Sequence, residues 1–327
     1  MNFRNWLIGL ALGGAIAVGG IMTVQAADTT AAPAETTAKA EQAEPAYAAR
    51  GAESCMRCHD AGSPLAILKT AHGVSGDSRT PFGQHACESC HGASPEHMGK
   101  PPAAGERRVQ PAVVFKGDRI SPVETRNKVC LTCHENGLRM NWKGSQHASN
   151  EVACTDCHAI HTTKDAVQAK KTQPETCFKC HAEQRSDSMQ YSHHPIREGK
   201  VVCSDCHNPH GSPGPKLLKE VRVTDTCYNC HAEKRGPFLW EHQPVREDCT
   251  LCHNPHGSVN ARLLKEKMPF LCEDCHAARN DMGGDGVSRG QTSKHGQFYY
   301  TFSDRSCINC HSQIHGSNSP SGSVFFR

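Results

Sequence analysis

The pattern Cys-x-x-Cys-His occurs ten times in this chain and accounts for every cysteine in it. The motifs begin at Cys55, Cys87, Cys130, Cys154, Cys177, Cys203, Cys227, Cys249, Cys272 and Cys307. Their second cysteines are Cys58, Cys90, Cys133, Cys157, Cys180, Cys206, Cys230, Cys252, Cys275 and Cys310. Each is followed by a histidine: His59, His91, His134, His158, His181, His207, His231, His253, His276 and His311. All 20 cysteines are used, so none is left for a disulfide, a nucleophile or a metal site outside the motifs. Two thiols three residues apart reach the two vinyl groups on one porphyrin edge, and the adjacent imidazole falls under the iron. This is the attachment signature of haem c. Twenty cysteines could instead build four-cysteine zinc sites, but zinc has no need of a histidine after every second cysteine. A disulfide scaffold would not hold its cysteines to one spacing. The sequence therefore predicts ten covalently attached haem c groups.

That expectation changes how the composition reads. The chain is 37% hydrophobic and 6% aromatic, thin for a large side-chain core in 327 residues. Ten apolar macrocycles would supply the missing buried surface. The formal net charge is +3. Each ferric haem adds one positive charge at iron and two propionate negatives, which, once Arg4 is lost with the leader, takes the mature protein to about −8 and removes the case for nucleic-acid binding that the bare chain's charge would make.

Residues 1–26 read as a secretory signal peptide. Arg4 is the positive end, residues 7–21 form the apolar stretch, and Val24-Gln25-Ala26 is a small-residue cleavage site. An uncleaved anchor is the alternative, but the apolar run is short and interrupted by glycine. Export to the periplasm agrees with haem c, which is attached outside the cytoplasmic membrane in bacteria. Residues 27–50, rich in Ala, Thr, Glu and Pro, read as a disordered tether or, alternatively, a partner-docking arm.

Residues 51–327 form the haem-binding domain, and they are a repeat. Thr176 to Arg185, His194, residues 203–211 and residues 217–220 are echoed by Thr226 to Arg235, His242, residues 249–257 and residues 263–266. Each unit has a Cys-x-x-Cys-His, a lone histidine, a second Cys-x-x-Cys-His and a closing histidine. Five two-haem units result, at 55–97, 130–161, 177–210, 227–256 and 272–315. The lone histidines are His72, His147, His194, His242 and His295, and the closing ones are His97, His161, His210, His256 and His315. These ten match ten second axial positions, leaving His85 and His193 of the 22 histidines as spares. His207 and His210 are three residues apart, a span of about 10 Å at most. They cannot pass round a haem edge to bind one iron from both faces. Each closing histidine must serve a different haem from the motif just before it. The arrangement expected here is crossed ligation within a unit, the closing histidine on the first haem and the lone histidine on the second.

Regular secondary structure should be sparse. Single helical turns are expected at the motifs, and short helices at residues 64–72, 216–220 and 261–267. Residues 112–115 are the best strand candidate. Residues 98–126 and 277–306 read as surface loops or docking surfaces. Trp142 and Trp240 are candidates for packing on haem faces or for ordinary apolar packing.

With these motifs placed, the chain resembles the decahaem periplasmic cytochromes of bacterial porin–cytochrome conduits, the MtrA, MtoA and PioA type with its DmsE-related subgroup. The likeness is carried by residues 203–211 (Cys-Ser-Asp-Cys-His-Asn-Pro-His-Gly), by Cys227-Tyr-Asn-Cys-His-Ala-Glu-Lys-Arg-Gly-Pro, by Leu239-Trp-Glu-His242 and by the stretch from Cys307 to Asn318. It implies an elongated multihaem fold, with short helices and loops wrapped round a linear row of ten haems. It also implies insertion into an outer-membrane β-barrel porin and electron exchange with periplasmic or inner-membrane cytochromes. An extracellular multihaem cytochrome is a further implied partner.

Bis-histidine ligation fills both axial positions, leaves no open site for substrate, and gives a lower reduction potential than a Met/His pair. The expected function is therefore an electron carrier rather than an enzyme, linking periplasmic carriers to extracellular metal or mineral in either direction. A soluble periplasmic shuttle feeding a terminal reductase is the alternative. A multihaem reductase would reserve one open iron, for which the histidine count leaves no place.

Overall fold

The computed structural model describes residues 46–276, 307–309, 311–320, 322 and 325, within a compact unit spanning Pro45–Arg327. The leader and most of the tether lie outside the described residues, as do residues 277–306, which contain His295, and Cys310.

Helical turns recur at the attachment motifs for a reason written in their spacing. In every motif the histidine N–H donates to the carbonyl of the first cysteine four residues back, at 2.8–3.0 Å. That closes one α-helical turn and brings the two thiols, at i and i+3, to one face. Aspartate caps two of these turns: Asp156 Oδ2 accepts from Ala153 N at 2.8 Å and Asp205 Oδ2 from Val202 N at 2.9 Å. Nothing extends the turns further. Asn-Pro, Gly and the next motif interrupt each one, and the longest described helix, Val123–Leu131, has nine residues.

Among the described residues there is no strand, only isolated antiparallel bridges such as Ser192–Ser258 and His253–Leu264. The stretch expected as a strand, 112–115, pairs instead with an attachment histidine: Val113 N donates to His91 O at 2.8 Å. The short helices expected elsewhere are 3₁₀ turns, at Ser63–Lys69, Pro215–Leu217 and Ala261–Leu263. The last two break because Lys216, Leu217, Arg262 and Leu263 all have φ between +51° and +61°. Left-handed backbone at a residue bearing Cβ costs roughly 1–2 kcal/mol each, and the use made of it appears at the site below.

The apolar core is small. Ile67, Ala86, Val113, Trp142, Ala153, Phe178, Val202 and Leu271 are the buried hydrophobic residues. In place of a core, one continuous cavity of about 5940 Å³ runs through the unit, lined by the attachment motifs and the lone and closing histidines. Divided among ten sites this is about 590 Å³ each, within the roughly 300–1,000 Å³ of a single small-ligand pocket. The N-terminal edge of the unit is anchored: Tyr47 stacks on His85 at 3.7 Å, and Ala48 N donates to the buried Glu88 carboxylate at 2.8 Å. The C-terminal end of the expected tether thus packs on the body.

Candidate haem-binding row

The imidazoles meet in pairs across this cavity. Ring centres are separated by 6.3 Å for His59–His97, 5.9 Å for His72–His134, 6.3 Å for His91–His161 and 6.1 Å for His147–His181. The series continues with His158–His210 at 6.0 Å, His194–His231 at 6.2 Å, His207–His256 at 6.1 Å, His242–His276 at 6.2 Å and His253–His315 at 6.2 Å. A metal–imidazole bond of about 2.0–2.1 Å plus roughly 1.1 Å from nitrogen to ring centre puts two rings on one metal about 6.3 Å apart. The nine pairs match that separation.

The other ring nitrogen is tied down. Nδ1 donates to a backbone carbonyl in His91 (Val113, 3.0 Å), His97 (Val109, 2.6 Å) and His147 (Pro209, 2.8 Å). The same holds for His161 (Pro64, 3.2 Å), His194 (Pro255, 2.7 Å), His207 (Lys216, 2.9 Å) and His253 (Arg262, 2.8 Å). A proton held on Nδ1 leaves the Nε2 lone pair for a metal. Left-handed Lys216 and Arg262 turn their carbonyls towards His207 and His253, and the strain they carry serves that contact. Burial holds His91, His207, His210, His253 and His256 below the usual histidine range and takes His315 down to about 4, which keeps these rings neutral and able to ligate.

The pairing departs from the one the sequence suggested. Among the described residues, crossed pairing within a unit occurs once, at His59–His97. Elsewhere the partners cross between units. A lone histidine reaches forward to the first motif of the next unit, as His72 does to His134 and His242 to His276. A closing histidine reaches back to the second motif of the previous unit, as His161 does to His91 and His315 to His253. The three-residue argument holds, since His210 faces His158 and not His207. It excluded a histidine's own motif without choosing between neighbours.

The Asn-Pro-His-Gly segments make these inter-unit joints. In 208–211, Asn208 Nδ2 donates to Leu138 O at 2.8 Å, Pro209 O accepts from His147, and a Cβ on Gly211 would lie 2.1 Å from Asn141 O. The same construction recurs at 254–257. Pro255 O accepts from His194, and a Cβ on Gly257 would lie 1.9 Å from Asp187 O. Both glycines allow a backbone approach that no side chain permits.

The cysteines are also in series. Within each unit the first cysteines of the two motifs hydrogen-bond: Cys55 to Cys87, Cys130 to Cys154, Cys177 to Cys203, Cys227 to Cys249 and Cys272 to Cys307. Between units the second cysteines stand near enough to feel each other's charge: Cys90 and Cys133, Cys157 and Cys180, Cys206 and Cys230, Cys252 and Cys275. The hydrogen bond between Cys55 and Cys87 drives the Cys55 thiol up and the Cys87 thiol down to about 7. Every motif thus turns one cysteine to the site before it and one to the site after it.

Related proteins carry the same elements. The doubled CXXCH motif family matches residues 193–236 and 242–281, the NrfB-like cytochrome c-type family matches 87–173, and the cytochrome c554 and c-prime family matches 20–92. The multiheme cytochrome MtrA of Shewanella baltica is 41% identical over 287 residues, covering 87% of this chain and 84% of that protein. This chain belongs to the MtrA family. The cytochrome c-type protein NrfB of Escherichia coli is 27% identical over 139 residues, 41% of this chain and 67% of that protein. As a member of the MtrA family the chain is a multihaem c-type cytochrome, an electron-transfer protein with little regular secondary structure.

The residues fit that cofactor. Thiols, paired imidazoles and a wide cavity coincide at the nine sites whose pairs are described. Thr226 Oγ1, next to Cys227 on the cavity wall, is buried without a protein partner. Zinc is not favoured by the arrangement, since among the described residues no three His, Cys, Asp or Glu side chains gather round one point. No described helix is long and apolar enough to cross a membrane.

Both spare histidines stay out of the row. His85 stacks on Tyr47. His193 has Nδ1 2.7 Å from Gln190 O and Nε2 3.5 Å from Glu198. Trp142 is buried with its ring 6.4 Å from His210, while Trp240 donates Nε1–H to Ser319 O at 3.0 Å. The sequence reading missed two supports. Asn127 ties the start of the first motif of the second unit to its second motif, accepting from Cys154 N at 2.8 Å and donating to Val152 O at 3.1 Å. Asp165 stands behind His158 at 2.7 Å. Neither has a counterpart in the repeat that could have flagged it.

Proposed function

We propose that this chain is a decahaem electron conduit of the periplasm and outer membrane. It carries electrons between periplasmic or inner-membrane cytochromes and extracellular metal or mineral, within a β-barrel porin partner. When bound, the haems supply iron centres that exchange single electrons with their neighbours. The chain's own residues do the rest. The twenty motif cysteines fix the ten groups in sequence order, and the twenty paired histidines from His59 to His315 occupy both axial positions. His295 and His311 complete the last site, with His295 outside the described residues.

The observation that carries this reading is the continuous row of facing imidazole pairs from His59–His97 to His253–His315. It supports a path running the length of the haem-binding domain, as a conduit requires. Each attachment histidine from His59 to His276 faces a second imidazole, which supports a carrier without an open coordination site. Export through cleavage of residues 1–26 belongs to the same reading.

The test is co-purification of the holoprotein with an outer-membrane barrel, and protection of residues 51–327 from protease by that barrel. A chain that remains freely soluble in the periplasm beside its genomic neighbours would refute the conduit and leave a shuttle. Haem content of ten per chain and a fully low-spin ferric spectrum are expected. A high-spin species would point to a reductase.

A further inference from the structure

Seven described ligand histidines, from His91 to His253, give Nδ1–H to a neutral backbone carbonyl. His158 gives it to the carboxylate of Asp165, at 2.7 Å from Oδ2. An ionised carboxylate only accepts, so the proton of this contact belongs to Nδ1. Asp165 is well shielded, its side chain 12% exposed. Its Oδ1 accepts from Ala159 N at 3.3 Å and from Val167 N at 3.4 Å, which fixes the group. The equivalent positions in the next two units use a loop carbonyl nine residues after the histidine, Lys216 for His207 and Arg262 for His253. Here the loop is shorter and a side chain replaces the backbone.

A second carboxylate stands near an attachment histidine. Glu233 Oε1 lies 3.7 Å from His231 Nδ1, beyond hydrogen-bond distance, with both side chains more than half exposed. Solvent screens such a contact strongly. The two cases therefore form an internal comparison within one chain.

A carboxylate on the outer nitrogen of a ligating imidazole pulls the Nδ1 proton towards itself and raises the donor strength of Nε2. Stronger donation and a nearby negative charge both favour the ferric over the ferrous state. We propose that Asp165 is a positioning residue that tunes the fourth site of the row, at Cys154 and Cys157. It sets that site at a lower reduction potential than the sites on either side, at Cys130–Cys133 and Cys177–Cys180. This places a potential step part-way along the path, where an electron moving in either direction meets an uphill transfer. The inference rests on His158 and His210 being axial ligands to one haem. Haem content and the low-spin spectrum of the unmodified protein test that separately.

The experiment is a potentiometric titration of the full-length holoprotein, followed optically and by electron paramagnetic resonance, for the wild type, Asp165→Asn, Asp165→Glu and Glu233→Gln. In Asp165→Asn one-tenth of the amplitude is expected to move to higher potential, with the rest unmoved and every haem still low-spin. The near-infrared charge-transfer band of that fraction moves with it. Asp165→Glu restores the wild-type curve at least in part. Glu233→Gln superimposes on the wild type. The Asp165→Asn shift disappears when the fourth haem is removed by Cys154→Ala with Cys157→Ala. Arg139, the cation acting on the His210 side of the pair, is present throughout and cancels. A superimposable curve for Asp165→Asn overturns the proposal. So does an equal shift from Glu233→Gln, which would make the effect one of exposed charge. A high-spin signal in Asp165→Asn also overturns it, because Asp165 would then hold the ligand in place and not tune it.

Discussion

The inter-unit joint can be broken at one atom, and the position of the damage identifies the ligand pairing. Consider Gly257→Ala. The added Cβ would lie 1.9 Å from Asp187 O and 2.6 Å from its carbonyl carbon, both backbone atoms. An ordinary contact begins at 3.4 Å, so one backbone must recede by about 1.5 Å. The segment cannot rotate away, because Ser258 on one side exchanges two hydrogen bonds with Ser192 at 2.8 and 3.0 Å. His256 on the other side takes up the displacement. Its ring centre, now 6.1 Å from that of His207, would move to about 7.5 Å, beyond what two bonds of about 2.0 Å to one metal allow. Overpacking of this kind costs about 1–3 kcal/mol, so the protein should still fold.

The expected result is one high-spin haem in ten, measured by electron paramagnetic resonance on the ferric holoprotein. That haem should belong to Cys203 and Cys206, not to the motif at Cys249 that immediately precedes the mutation. Adding Cys203→Ala and Cys206→Ala removes it and should abolish the high-spin signal. Adding Cys249→Ala and Cys252→Ala should leave it. The opposite outcome in the two backgrounds would refute the backward reach of the closing histidine. A fully low-spin Gly257→Ala would refute the claim that the glycine sets the joint.

Three further outcomes are expected. His193→Ala and His85→Ala should leave the low-spin spectrum unchanged, whereas His194→Ala should generate one high-spin haem in the same measurement. Lys216→Gly relieves left-handed backbone at φ +51° while keeping the carbonyl that His207 uses, and should raise stability to denaturant by about 1 kcal/mol. His315 is buried and held neutral, its value lowered from 6.5 to about 4. The ring stays unprotonated down to that value and iron competes with the proton below it, so an acid titration of the low-spin Soret band should show no loss of this ligand above about pH 4, and loss of it at higher pH would refute the assignment.

The attachment motifs were legible because haem c chemistry fixes their local spacing, and the same spacing closes one helical turn in the structure. The histidines that face them were legible from their regular positions, but not as pairs. Pairing is a long-range property: His91 and His161 are 70 residues apart, and nothing local distinguishes a backward from a forward reach. The helices expected at 216–220 and 261–267 failed for a related reason. Propensity favours helix there, but the carbonyls of Lys216 and Arg262 are needed by His207 and His253, and tertiary demand overrides local preference. Asp165 was invisible because it departs from the repeat, and a departure carries no signal in a reading built on repetition.

The exchange of ligands between units also explains the exception at the start of the row. If each lone histidine serves the next unit and each closing histidine the previous one, the first site of the first unit has no earlier unit to supply a partner. The closing histidine of that unit, His97, has no earlier unit to serve. The two solve each other, and His59 meets His97 at 6.3 Å. This needs a connection unlike the others. After His97 the chain runs back so that Val109 O holds His97 Nδ1 and Val113 O holds His91 Nδ1. Residues 98–126, expected as a surface loop or docking surface, thus serve as the closure of this end. By count, His295, which lies outside the described residues, and His311 are the two histidines left over at the other end. A chain of this design can gain or lose internal two-haem units while keeping this closure, because every internal joint makes the same exchange.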